Sequence, residues 1–128
     1  NIAPAPIEIK LTSSSYIEQV HIIGDKRNFL TALVVPNFDS VINYLKDMEN
    51  NITDSNAIVE HPDVIELFNK EIENSMSEFA RFEKVKKFAL LTNPFSIEKG
   101  EMTPKMSIVR KVVETNYSDI INGMYEEK

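Results

Sequence analysis

Two β-type stretches, Ile17-Glu18-Gln19-Val20-His21-Ile22-Ile23 and Asn28 to Val35, follow each other so closely that few arrangements can hold both. The first is apolar at 17 and then at 20, 22 and 23, and it stops at Gly24-Asp25; the second is halted by Pro36. Only Asp25 to Asn28 separate Gly24 from Phe29. A connection that short joins antiparallel neighbours, because parallel strands need a crossover of roughly a dozen residues or more. The chain is therefore expected to be built on a hairpin, and the remaining segments must cover it.

Those segments carry mostly helical periods. Pro4 and Pro6 bracket an opening turn, after which Ile7 and Leu11 suggest a short helix ending at Ser13-Ser14-Ser15. Asn37 or Asp39 can cap a helix with Val41, Ile42, Tyr44, Leu45 and Met48 on one side, fading at Asn50-Asn51. His61-Pro62-Asp63 opens a longer helix whose apolar stripe is Val64, Leu67, Phe68, Ile72, Met76 and Phe79. Lys86 to Thr92 reads as a third strand ending at Asn93-Pro94. A last helix is expected over Ile108 to Tyr125, with Val109, Val112, Val113, Tyr117, Ile120, Ile121 and Met124 inward. The expected fold class is α+β, an antiparallel hairpin plus a third strand covered by helices. At 128 residues one domain is expected, and with 42% apolar and 27% charged residues it should fold.

Several function classes are excluded at this stage. Cysteine is absent, which removes disulfides, thiol nucleophiles and cysteine-ligated metals, and fits a cytoplasmic address. His21 and His61 lack the spacing of a zinc pair, so no metal site is expected. His21 alternates with Val20 and Ile22 and reads as a packed or solvent-side strand residue; His61 before Pro62 reads as a helix-opening residue. No apolar run approaches the roughly 20 residues of a membrane span, which leaves peripheral membrane association open. The chain opens on Asn1 without a methionine, as an excised or processed piece would. A net charge of -6 argues against nucleic-acid binding. Yet Arg81 to Lys111 holds eight basic residues against three acidic ones, a local +5 that leaves -11 for the remainder. Such a segment can face a polyanion such as a nucleotide or CoA, because local field sets that attraction.

The glycines, Gly24, Gly100 and Gly123, form no phosphate-cradling motif. Chemical promise concentrates in Gly100-Glu101-Met102-Thr103-Pro104-Lys105-Met106-Ser107-Ile108-Val109-Arg110-Lys111, a loop bearing cations before a helix. At this loop the sequence resembles the C-terminal domain of AMP-forming long-chain acyl-CoA synthetases, in the adenylate-forming enzyme superfamily. Three segments carry the likeness. Asn1-Ile2-Ala3-Pro4 with Pro6-Ile7-Glu8 is similar to the stretch just after the family's hinge. Tyr16-Ile17-Glu18-Gln19-Val20 through Ile23-Gly24-Asp25, then Phe29 to Pro36, resembles its strand pair. Phe82-Glu83-Lys84-Val85-Lys86-Lys87-Phe88 with Phe95 to Arg110 resembles its terminal lysine loop.

The resemblance implies a lid that rotates on a larger N-terminal domain, its partner in the same chain, where ATP, Mg, a fatty acid and CoA are handled. Adenylation of the fatty acid comes first and transfer to CoA second. Asn1, Ile2 and Ala3 then lie next to the hinge, and the isolated 128 residues, lacking the ATP pocket, are expected to be inactive. Aligning Thr103-Pro104 and Arg110-Lys111 without a gap places Ser107 where the family carries its adenylation lysine. A hydroxyl supplies no positive charge. Lys105, two residues away in what is expected to be an extended loop, is the candidate substitute, with Lys99 and Arg110 as further substrate-facing candidates. The alternative expectation is a lid that no longer supports adenylation and serves as a binding or regulatory module.

Overall fold

The computed structural model describes residues 2–126. The order of elements is α1 (Pro4–Thr12), β1 (Ile17–Ile23), β2 (Leu30–Pro36), α2 (Phe38–Asp47), α3 (Ser55–Glu60), α4 (Pro62–Ser75), a 3-10 turn at Arg81–Glu83, β3 (Val85–Leu90), α5 (Arg110–Asn116) and α6 (Ser118–Tyr125). The sheet runs β1-β2-β3. β1 and β2 are antiparallel, as the short connection from Gly24 to Phe29 requires, with Val20 opposite Val34 and Ile22 opposite Ala32. β3 lies parallel to β2, reached by the crossover through α2 to α4. This is the expected α+β arrangement.

Every residue of β2 is buried, because the strand has a core on each face. Leu30, Ala32 and Val34 point with Val20 and Ile22 into the larger core, which α1 to α4 close with Ile7, Leu11, Leu45 and Phe68. Leu33 and Val35 join Ile23 in a smaller core closed by Leu91, Phe95, Met102, Val113, Ile121 and Met124. The two-residue period of the strands thus sorts one segment between two layers.

Local chemistry starts the helices where it should. Asn37 caps α2, its side-chain oxygen accepting from the Ser40 N–H at 3.1 Å. Proline occupies the first turn of both α1 and α4, where its missing N–H costs nothing. The α4 cap is His61, whose Nδ1 accepts from the Asp63 N–H at 3.1 Å. α1 begins at Pro4, so Pro4 and Pro6 lie inside the helix instead of bracketing a turn before it.

Three sequence expectations are corrected. α3 was not anticipated; six residues are too few to show a helical period, although Asp54 caps it by accepting from the Ala57 N–H at 3.1 Å. The third strand starts and ends earlier than Lys86 to Thr92. The last helix is two helices. Ile108 is held in an isolated bridge with Met102 and Val109 is extended, so helix begins only at Arg110; Tyr117, at φ -112° and ψ 22°, then interrupts it. The break turns the remaining period, leaving Ile120 41% exposed while Ile121 and Met124 are buried.

One polar cluster fastens the two ends of the described chain together. α1 lies along β1, an edge strand, and Glu8 Oε2 accepts from the Ile22 N–H at 2.9 Å, giving that edge a partner. The same carboxylate takes a two-pronged ion pair from Arg110, with Nη2 2.6 Å from Oε1 and Nη1 3.0 Å from Oε2. His21, with no exposed surface, sits between Arg110 and Glu114. A guanidinium only donates, so Nδ1, 3.3 Å from Arg110 Nη1, accepts, and the ring proton resides on Nε2, 2.7 Å from Glu114 Oε2. The neutral ring satisfies both neighbours. Burial holds the His21 pKa below 6.5; Glu114, and more weakly Glu8, pull it up, and the nearby Arg110 charge helps keep it down.

Two outcomes follow from this packing. Phe68→Ala should cost about 3 to 5 kcal/mol in urea unfolding of the 128-residue chain, whereas Ile120→Ala at a half-exposed position should cost under about 0.5 kcal/mol. A histidine whose folded pKa is lowered leaves the unfolded state holding more protons, so its contribution to stability is complete above 6.5 and is lost as pH falls through the lower folded value. Stability should therefore decline from pH 7 toward pH 5, and His21→Gln should flatten that slope in unfolding curves taken across the range.

Candidate functional site

The cation-bearing loop runs from Leu91 to Val109 and is more ordered than its glycine and prolines suggest. Its first part is pinned to the sheet. Phe95 is buried, its N–H donates to Gln19 Oε1 at 2.8 Å, and its ring meets Tyr117 edge-on at 6.1 Å. A turn follows in which the Glu101 and Met102 N–H groups both donate to the Ser96 carbonyl, at 3.0 and 3.2 Å. Gly100 closes that turn at φ 73°, a conformation glycine adopts without strain.

Glu101 anchors this part from inside. Only 1% exposed, its carboxylate accepts from the Ser96 N–H and from Asn116 Nδ2, each at 3.1 Å. Burial, and secondarily the Glu101 charge, raise the pKa of the neighbouring Tyr117 phenol. The carboxylate that entered the sequence reading only as one of three acids in the basic segment is thus a structural post.

Beyond it the chain forms a small hairpin. Val109 N–H donates to the Glu101 carbonyl at 2.8 Å, Met102 bridges Ile108, and the Thr103 N–H donates to the Ser107 carbonyl at 2.8 Å. The turn is closed by the Met106 N–H on the Thr103 carbonyl at 2.8 Å, with Met106 at φ 67°. Pro104, Lys105 and Met106 form the exposed tip and Ser107 lies exposed where the strands begin. The expected extended loop is therefore a tight turn. Residues 105 and 107 are not related by a strand's two-residue period, and any reach of Lys105 toward the 107 position comes from its flexible stem.

The other sequence candidates are separated. Lys99 is exposed on the preceding turn, its N–H held by Ser96 Oγ at 3.2 Å. Arg110 is engaged with Glu8 and is not a free cation; that ion pair raises its pKa further. Asn1 lies outside the described residues. Ile2 is half-buried against the larger core and Ala3 is the exposed residue before α1. Ile2 and Arg110 line one groove of about 520 Å³, together with Gly24, Asp25, Arg27 and Glu114. The basic segment does not act as one surface, because Lys86 and Lys87 turn toward Lys26 and Arg27 from the hairpin connection.

Sequence reasoning missed Glu8, His21 and Glu114 as a unit. Only the four-residue spacing of Arg110 and Glu114 on one helix was visible locally; the rest depends on α1 lying against β1. Among the described residues no group of three or more potential metal ligands occurs, and no helix is long and apolar enough to cross a membrane.

Comparison with known proteins gives this geometry its context. Residues 1–128 match the family model described as the AMP-binding enzyme C-terminal domain. The long-chain-fatty-acid–CoA ligase FadD15 of Mycobacterium tuberculosis is 25% identical over 130 residues, covering 100% of this chain and 22% of that protein. The long-chain-fatty-acid–CoA ligase ACSBG1 of Homo sapiens is 27% identical over 146 residues, covering 100% of this chain and 20% of its own length. The chain thus spans about a fifth of the length of these curated relatives. In fold it is similar to the adenylation domain of a carboxylate reductase from Mycobacterium chelonae, with a TM-score of 0.78 at 21% identity over 98% of this chain and 18% of that one. It is likewise similar to the adenylation and carrier didomain of the Segniliparus rugosus carboxylic acid reductase in complex with AMP, with a TM-score of 0.76 at 20% identity over 97% of this chain and 16% of that one. Since the family model takes in the whole sequence, from the hairpin to the turn at Lys105, the chain belongs to the AMP-binding enzyme C-terminal domain family.

Proposed function

We propose that these residues form the C-terminal lid of an AMP-forming long-chain fatty acid–CoA ligase and that the Lys105 turn is the part brought to the reacting phosphate. The observation that carries this reading is the family match over residues 1–128, with the tip of the turn exposed on a base pinned by Glu101. Fatty acid, ATP with its Mg, and CoA would be held mainly by the N-terminal domain, to which the lid docks. In adenylation the carboxylate attacks the α-phosphorus and pyrophosphate leaves; a cation aimed at that centre offsets charge as it develops. Lys105 is the residue of the turn able to do so, its ammonium being a point charge on a mobile stem. The buried Glu101 and the Met102–Ile108 bridge would fix the root of that stem, and Arg110, bound to Glu8, would tie the turn to the helix next to the hinge.

Ser107 favours a second reading. The resemblance puts the adenylation lysine at this exposed position, and a serine there leaves a hydroxyl where a charge is expected. A lid of this descent could then support thioester formation or docking without adenylation.

Pyrophosphate exchange and thioester formation from preformed acyl-adenylate separate the readings in the full-length protein. Lys105→Ala should lower exchange by roughly 100- to 1,000-fold, the usual effect of removing one electrostatic stabiliser, while thioester formation changes little. Unchanged exchange in Lys105→Ala would refute the assignment. No exchange in the natural protein, restored in Ser107→Lys, would instead establish the lid that has lost adenylation.

A further inference from the structure

A second concentration of positive charge lies away from the loop, at the end of the sheet where β1 turns into β2. Lys26, Arg27 and Phe29 from that connection, Lys86 and Lys87 from β3, and Tyr125 at the end of α6 line a groove of about 800 Å³. Among the described residues its one lining carboxylate is Glu126, with Asp25 nearby in the connection. Among the described residues none of the four cations forms a salt bridge: the ion pairs there involve His21, Lys70 and Arg110.

Two departures from regular backbone build this groove. Consecutive strand residues point to opposite faces, so Lys86 and Lys87 should diverge. They do not, because the pairing of β3 with β2 slips: Leu30 is opposite Val85 but Thr31 is opposite Lys87, which makes Lys86 the extra residue of a β-bulge. Both ammonium nitrogens consequently lie 5.7 Å from the centre of the Phe29 ring. On the opposite wall Lys26 adopts φ 58°, an uncommon conformation for a lysine, and Arg27 stacks 4.4 Å above the Tyr125 ring. Like charges brought together by irregular backbone repel each other unless an anion joins them.

The aromatic rings help to define the ligand class. Phe29 and Tyr125 pack on each other at 4.8 Å, and their remaining faces are taken by the lysines and by Arg27. A stacked base would have to displace one of these contacts. The Tyr125 hydroxyl is also engaged, donating to the Phe29 carbonyl at 2.7 Å. What the groove offers is ammonium and guanidinium donors, which suit phosphate oxygens.

We propose that this groove is a binding site for a phosphate-bearing anion, either a free polyphosphate or the phosphate of an anionic lipid headgroup, with Lys26, Arg27, Lys86 and Lys87 as its ligands. The site does not depend on the ligase reading, and the local readout below separates it from any nucleotide site elsewhere in the full-length protein. Hydrogen exchange by mass spectrometry would be followed in peptides spanning residues 25–30 and 85–90. The probes are inorganic tripolyphosphate in one arm and vesicles of phosphatidylcholine with phosphatidylserine in the other. At least a threefold slowing of exchange in both peptides is expected with one probe or both, weakening at high salt. Protection by tripolyphosphate identifies a free phosphate site, and protection by the vesicles alone identifies a headgroup site. Lys86→Ala/Lys87→Ala should abolish it. If that variant unfolds, Arg27→Gln, altered on the opposite wall, should reduce protection in both peptides. Absence of protection with either probe in the natural protein, or protection that persists in a folded double variant or in Arg27→Gln, would overturn the proposal.

Discussion

Burial of β2 on both faces is the constraint on which the other elements depend. A strand with Leu30, Ala32 and Val34 on one side and Leu33 and Val35 on the other cannot face water anywhere, so each face needs its own cover. The crossover from β2 to β3 supplies α2 to α4 for one face, and the chain after β3 must supply the other. The Leu91 to Val109 loop and the short helices α5 and α6 are therefore structural before they are functional. Phe95 and Met102 are core residues of a loop, which is why a segment rich in turns holds a defined shape.

Edge protection is solved differently on the two sides of the sheet. β1 is covered by α1, and Glu8 occupies the Ile22 N–H that would otherwise be open to another strand. β3 carries Lys86 and Lys87 and a bulge, which discourage pairing with a further strand. Because the Glu8 carboxylate also holds Arg110, the device that protects β1 ties down the first residue of α5, next to the base of the Lys105 turn. Geometry at the turn is thus coupled to the helix nearest the chain's beginning, with His21 as the buried spacer between them.

The strand pair, α2 and α4 were legible in the sequence because short connections, caps and apolar periods are local signals. What was not legible depended on distant partners. A single helix over Ile108 to Tyr125 satisfied the apolar period, but the Met102–Ile108 bridge and the break at Tyr117 divide it. In the sequence Glu101 was one acid in a charge count, and only its burial beside Ser96 and Asn116 reveals an anchor. The positive segment Arg81 to Lys111 was visible as a count, yet its members go to different places because a bulge, a turn and an ion pair redirect them. The loop was legible as a cation-bearing segment before a helix; whether Lys105 and Ser107 share a face could not be read, since that depends on Met106 at φ 67°.

The closed turn changes what kind of residue can act there. In an extended segment the backbone itself would decide which side chains meet a phosphate, and Lys105 and Ser107 would be near equivalents. In the hairpin, hydrogen bonds between Thr103 and Ser107 hold the base, so position follows from the base and reach follows from the side chain. A serine at the base presents its oxygen close to the backbone. A lysine at the tip carries its charge on a stem of four carbons, at an entropic cost that a contact with phosphate can offset. On the proposed reading, charge at the tip with rigidity at the base is how this loop does without a lysine at 107, and the demand for precision then falls on Glu101 and the Glu8–Arg110 pair instead of on the residue that bears the charge.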